Sequence, residues 1–386
     1  MSFTARRAVL TLGVSQTIGY AGSIYLPATL AAPMSRAVGM PQSQVFLAFS
    51  GALLLQAVIG PRLGRLVDHR GGRPPLAAAS LVFAAGLLAL SLAQTPAQLV
   101  AAWMVMGLAM GAGLYDIAFA GLVGWFGADA RRSITGVTLI AGFASTVGWP
   151  LTAWLEHQWG WRTACLFWAA ANLLVALPLH LSLPRGSLAR TAADHAEAPD
   201  PAPAPGDGTK MILMAVAFAV LSGIGSAISA HLPPLLKAAG ASAGAAVAAA
   251  ALVGPAQVLA RILEFVLVRR IHPLVSGRVA VSMFPIGAGL LIALGGAAAA
   301  PFALLYGAGN GLFTIVRGTL PLALFGQRNY GRRLGLLNVP ARLTQAVSPF
   351  AVSLMLERSA SLAVAVLAGF SVLALGALLL LRRSAN

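Results

Sequence analysis

At 386 residues the chain could hold several domains, yet only 9% of it is charged, 58% is hydrophobic and its mean hydropathy is +0.83. A soluble domain carries about 25% charged residues, so a water-solvated globule is excluded. The formal charge of +16 suggests nucleic acid only until its distribution is considered. Apolar runs of the ~20 residues that cross a bilayer recur twelve times, roughly over 8–30, 43–64, 75–94, 98–126, 134–155, 163–183, 210–236, 243–268, 278–299, 301–325, 334–356 and 360–381. With the N-terminus in the cytoplasm, Arg36, Arg162, Lys237 and Arg358 fall outside, Arg261, Arg317 and Arg342 fall within the membrane, and the other nineteen of the 26 basic residues fall inside. The positive-inside rule then places both termini in the cytoplasm, and the basic excess becomes a topology signal.

The first run follows Arg6 and Arg7 as a signal peptide would, but its apolar stretch is longer than a signal core and eleven more follow, so it is expected to be a retained helix. It carries Gln16, Tyr20 and Tyr25. Between runs two and three lies Gly64-Arg65-Leu66-Val67-Asp68-His69-Arg70-Gly71-Gly72-Arg73. Its glycines permit a tight turn, and Asp68 can pair with nearby arginines or cap the helix that follows. Asp116 in run four lies near mid-membrane, where hydrocarbon disfavours an ionised carboxylate. A carboxyl that gains and loses a proton is what proton coupling needs; a fixed counter-ion for Arg317 is the equal alternative. Cys165 is the single cysteine, which rules out an intrachain disulfide and leaves it a packing residue.

Residues 184–209 interrupt the pattern with a Pro-, Ala- and Gly-rich stretch that cannot bury enough surface to fold, and they are expected to be an exposed linker. It separates a bundle over 1–183 from one over 210–386. The two halves echo each other: Gly113-Leu114-Tyr115-Asp116-Ile117 resembles Gly311-Leu312-Phe313-Thr314-Ile315, and each is followed by an arginine pair, Arg131-Arg132 and Arg332-Arg333. Pro150 matches Pro349. Matches in a shared order indicate a duplicated six-helix unit, as transporters often have.

The second half holds the intramembrane cations. A guanidinium in hydrocarbon costs roughly 3 kcal/mol or more, so such residues face a bundle interior or a wet cavity. Arg261, Arg317 and Arg342 are each seven or eight residues from the cytoplasmic end of their run, a common depth of roughly 12 Å. Snorkelling to the headgroups and, for Arg261, a bridge to Glu264 one turn away are the alternatives. Ser226, His231 and Asn310 are further polar candidates, with plain helix–helix contacts as the competing role.

The loop from Gly64 to Arg73 resembles the signature loop of the major facilitator superfamily, with Gly64, Asp68, Gly71 and Arg73 matching, Arg70 within it, and His69 and Gly72 replacing expected basic residues. The resemblance spans the chain. It implies an all-α membrane fold of twelve helices in two pseudo-symmetric six-helix bundles about a central cavity, with Asp68 locking one conformational state. Gly254-Pro255-Ala256-Gln257-Val258-Leu259-Ala260-Arg261 is also similar to the eighth-span arginine segment of monocarboxylate and oxalate/formate carriers, where that arginine meets the carboxylate. Oxalate carriers add a basic residue in span eleven, where Arg342 sits. The acidic-glycine-aromatic motif of monocarboxylate carriers is absent from 13–20. Drug/proton antiporters are the rival branch; their basic residue early in span four corresponds to Gly107 here, and their span-five pattern is met in part by Gly142, Gly148 and Pro150.

The expected function is secondary transport of a small organic anion by alternating access, proton-coupled or by exchange, with proton-driven efflux as the alternative. Arg261, Arg342, Arg317, Tyr20 and Asn310 are the expected substrate residues and Asp116 the proton carrier. No HExxH or Walker pattern occurs, and no enzyme, metal, ATP drive or cofactor is expected. The expected partners are the anionic substrate, protons and the lipid of a bacterial inner membrane, with a monomeric chain and no nucleic acid.

Overall fold

The computed structural model describes residues 3–186, 207–267, 271–356 and 358–381. These are helical almost throughout, with no strand among the described residues. The helices are α1 (Phe3–Ala21), α2 (Leu26–Val38), α3 (Gln42–Arg70), α4 (Arg73–Leu92), α5 (Pro96–Gly113), α6 (Tyr115–Phe126), α7 (Ala130–Ala141), α8 (Ala144–Ala171) and α9 (Leu177–Leu181), then α10 (Asp207–Ala238), α11 (Ala243–Leu267), α12 (Pro273–Leu294), α13 (Ala299–Phe325), α14 (Tyr330–Leu356) and α15 (Ala360–Leu380). The expected linker lies mostly outside the described residues.

Local chemistry sets several of the ends. At α5, Thr95 Oγ1 accepts from Gln98 N at 3.3 Å while Gln98 Oε1 accepts from Thr95 N at 3.2 Å, a reciprocal cap ahead of Pro96. Ser359 Oγ accepts from Leu362 N to start α15. Gly39, at φ +68°, ends α2 in the left-handed conformation that a side chain resists.

Among the described residues, seven helical stretches are long and apolar enough to cross a membrane. Two of them, Pro96–Leu181 and Pro273–Phe325, run 86 and 53 residues. Straight, they would reach roughly 130 and 80 Å against a hydrocarbon core of ~30 Å, so each must fold back on itself. The chain does so at 127–129 and Gly160 in the first and at 295–298 in the second, while Leu114 and Gly142–Phe143 interrupt single spans. Large apolar side chains cover the outside: Leu47, Leu174 and Leu380 are 70%, 71% and 72% exposed. Lipid tails, not water, suit that surface. The protein is a multi-pass integral membrane protein.

Two compact units divide the chain, one of 1–198 with 326–336, the other of 199–325 with 337–386. In the first, α3 and α4 pack on α5 around buried Met34, Leu87, Trp103 and Met106. A Cβ on Gly107 would meet the Ala52 carbonyl oxygen at 2.7 Å, so the α3–α5 approach depends on its absence. In the second, α11 and α12 pack on α13. There Gly307 and Gly311 lie so close to Val253 and Gln257 of α11 that an added Cβ would sit 2.6 Å from each carbonyl oxygen.

Candidate substrate site and conformational lock

The close α11–α13 crossing decides where Arg261 points. Buried on α11, its Nε donates to Gly311 O at 3.5 Å, and its Nη2 to Gln257 Oε1 at 3.2 Å and Thr314 Oγ1 at 3.4 Å. Thr314 precedes Arg317 by three residues, so the two share a face of α13. Arg317 Nε donates to Asn338 Oδ1 of α14 at 2.7 Å. Asn338 precedes Arg342 by four residues, and Arg342 Nη1 donates to Gln345 Oε1 at 2.8 Å. Arg261 thus ties α11 to α13 through Thr314, Arg317 ties α13 to α14 through Asn338, and Arg342 is held along α14 by Gln345. Arg261 and Arg342 are 5% and 4% exposed, too enclosed for snorkelling to headgroups. Glu264 is turned to α12, where Ser276 Oγ lies 3.0 and 2.9 Å from its two oxygens.

Asn310 lies apart from this series. Its Oδ1 faces Gly225 of α10, and it lines a cavity of about 20 Å³ with Tyr306 and Phe313, room for one water at most. Ser226 Oγ donates to Gln345 O and His231 Nε2 lies 2.9 Å from Pro349 O, so both join α10 to α14.

The first unit is organised around interruptions. The expected first run is broken at 22–25, the fourth at Leu114 and the fifth at Gly142–Phe143. Aromatic rings gather there: Tyr20 lies 4.6 Å from Tyr115 and 6.3 Å from Tyr25, and Tyr25 meets Trp149 edge-on at 5.4 Å. Asp116 occupies the first turn of α6, immediately after the break, where the helix amide end favours negative charge. Gln16 Nε2 donates to Gly113 O at 2.7 Å on the other side of that break.

The loop from Gly64 to Arg73 has a partner that its own surroundings do not suggest. Asp68 Oδ1 accepts from Gly331 N at 2.8 Å and Oδ2 from Arg332 N at 2.9 Å, so it caps α14 and not the α4 that follows it. Glycines on both helices permit the approach. A Cβ on Gly64 would collide with Gly331 O, and one on Gly335 would sit 2.7 Å from Pro61 Cα. These contacts draw 326–336 into the first unit. Gly71, at φ +78°, ends α3, and Arg70 and Arg73 flank the turn. Trp125 Nε1 donates to Gly186 O at 3.0 Å beside it.

Comparison with known proteins matches residues 12–315 to the family described as Major Facilitator Superfamily. The chain belongs to the major facilitator superfamily. It is therefore a transporter working by alternating access, not an enzyme. Its fold is similar to that of the human organic anion transporter MFSD10 (TETRAN), at 17% identity and a TM-score of 0.75 over 98% of this chain and 100% of that one. It is also similar to the proton:xylose symporter XylE, at 15% identity and 0.73 over 96% and 94%. A third similar fold is FucP, at 14% identity and 0.74 over 95% and 97%. An uncharacterized 38 kDa protein in the 23S RNA operon of Thermoproteus tenax is 35% identical over 161 residues, which span 41% of this chain and only 42% of that relative.

Sequence reasoning missed one polar cluster, Ser15, Ser80 and His180, all buried in the first unit. A lone histidine two residues after Pro178 in an apolar run was the available signal.

Proposed function

We propose that this transporter carries a small organic anion, a carboxylate, and that Arg261, Arg317 and Arg342 hold it. The observation that carries the reading is the presence of three intramembrane guanidinium groups in the second unit, two of them buried and each held by a polar side chain. A guanidinium presents paired donors that fit a carboxylate, and in an enclosed site such charge-assisted bonds are strong. The human protein of similar fold is named an organic anion transporter, which agrees with the class. Asp116 at the amide end of α6 is the proton carrier of a symport or exchange cycle. Tyr20 belongs to the aromatic cluster of the first unit, while Asn310, facing α10, supports α13. The chain acts as a monomer in a bacterial inner membrane with both termini in the cytoplasm, and Asp68 of α3, capping α14, stabilises one state of the cycle.

Proton-driven efflux is the second reading. The rings of Tyr20, Tyr25, Tyr115 and Trp149 favour it, because aromatic faces attract lipophilic cations. Counterflow in proteoliposomes, with panels of carboxylates and lipophilic cations, separates the two. Carboxylate exchange lost in Arg261→Ala supports the anion carrier. Full exchange in that variant, or exchange of cations alone, overturns it. Proton-driven accumulation that survives in Asp116→Asn removes the coupling role.

A further inference from the structure

The first unit holds a buried imidazole that neither the arginine series nor Asp116 uses. His180 of α9 places Nδ1 2.8 Å from Ser80 Oγ of α4 and Nε2 2.9 Å from Ser15 Oγ of α1. The three residues are 4%, 1% and 2% exposed. Each serine also has a backbone acceptor on its own helix, Leu12 O at 3.2 Å from Ser15 Oγ and Leu76 O at 3.4 Å from Ser80 Oγ.

Counting hydrogens decides what this arrangement fits. A neutral imidazole has one N–H and one bare nitrogen. One serine must then give its hydrogen to the bare nitrogen and forgo its carbonyl. An imidazolium donates from both nitrogens, so both hydroxyls accept from the ring and both pass their hydrogens to the carbonyls. All four close contacts are satisfied together only when the ring carries two protons.

A cavity lies near the cluster. About 230 Å³ in volume, it lies between the first turns of α1 and the end of α9, bounded by Thr4, Arg7, Thr11, Ser182, Leu183 and Pro184. Thr4, Arg7 and Ser182 are exposed, so the cavity meets solvent. A water occupies ~30 Å³, so several fit. Thr11 lies one helical turn before Ser15, and Ser182 two residues after His180, so the cavity floor adjoins the cluster.

We infer that Ser15, His180 and Ser80 form a proton-binding site of the first unit, filled from this cavity and separate from Asp116. The charged groups on the elements packed against α9 are Arg6 and Arg7 of α1 and Arg73 of α4, with Arg185 just beyond; the π-helical turn at 172–176 carries none. Arg7 is eight residues from Ser15 and Arg73 seven from Ser80, roughly 12 and 10 Å along their helices. All are cationic, and burial also resists charge. The neutral ring is therefore the resting form, and protonation follows acidification of the cavity. The site stands independently of what the transporter carries.

The test is ¹⁵N NMR of the full chain, purified in detergent with labelled histidine, with His180 assigned by loss of its signals in His180→Gln or His180→Asn. On acidification the His180 nitrogens should pass reversibly from neutral to imidazolium shifts while a melting transition persists. Ser80→Ala removes one acceptor of the charged ring, so the titration midpoint should move acidward by about one pH unit, tenfold in proton affinity. A ring that stays neutral until the protein unfolds overturns the inference. So does a midpoint unmoved in Ser80→Ala, the result expected of a histidine that only ties three helices together.

Discussion

The two units solve the same packing problem in opposite ways. The first breaks its helices at 22–25, Leu114 and Gly142–Phe143 and fills the breaks with tyrosines and Trp149. The second keeps α10, α11, α13 and α14 continuous although prolines lie inside each, and places its arginines on the continuous helices. Broken helices free backbone groups and offer hinges. Unbroken ones hold a side chain more rigidly, which a bidentate anion site requires. On the proposed reading, charge recognition falls to the second unit and shape and movement to the first.

The largest expected break in that contrast is Arg342→Ala. Charge-assisted hydrogen bonds contribute about 1.5–3 kcal/mol each, so carboxylate affinity should fall about 10- to 100-fold by equilibrium binding. An unchanged affinity would remove Arg342 from the site. Gly331→Ala comes next. Its Cβ would meet Gly64 O and Asp68 Oδ1, and overpacking of this kind costs roughly 1–3 kcal/mol. Turnover should drop about tenfold while carboxylate affinity stays within about twofold, because the lock is damaged and the arginines are not. Asp68→Asn, which weakens the cap on α14, should slow turnover a few-fold, near the ~1 kcal/mol of a helix cap. The smallest effect is Tyr20→Leu. Aliphatic carboxylates should bind as before, and aromatic acids should lose about 0.5–1.5 kcal/mol of ring stacking. A large loss for aliphatic acids would show that charge recognition is not confined to the second unit.

Much of this is legible in the amino-acid chain itself. Apolar runs and sparse charge carry the helical membrane fold, because hydrocarbon tolerates only backbones that satisfy themselves. Gly64, Asp68, Gly71 and Arg73 carry the family. Arg261, Arg317 and Arg342 stand out because their charge is costly where it sits, and each has a polar side-chain partner in the second unit. What is not legible has a common cause. The break at Leu114 is a matter of backbone torsion inside an unbroken apolar run, and hydropathy does not record torsion. Asp68 is expected to serve its own loop, but its partners are 263 and 264 residues away. His180 finds its serines 100 and 165 residues away. Long-range pairings of single polar residues leave no periodicity to read.

The central claim, anion recognition by the second unit's arginines, is tested most directly by thermal unfolding of the detergent-purified protein with small carboxylates, neutral metabolites and lipophilic cations. A ligand that binds only the folded state raises Tm. The account predicts a rise with a carboxylate that disappears in Arg261→Ala and persists in Asn310→Ala. A rise with lipophilic cations alone, or a carboxylate rise undiminished in Arg261→Ala, would contradict it.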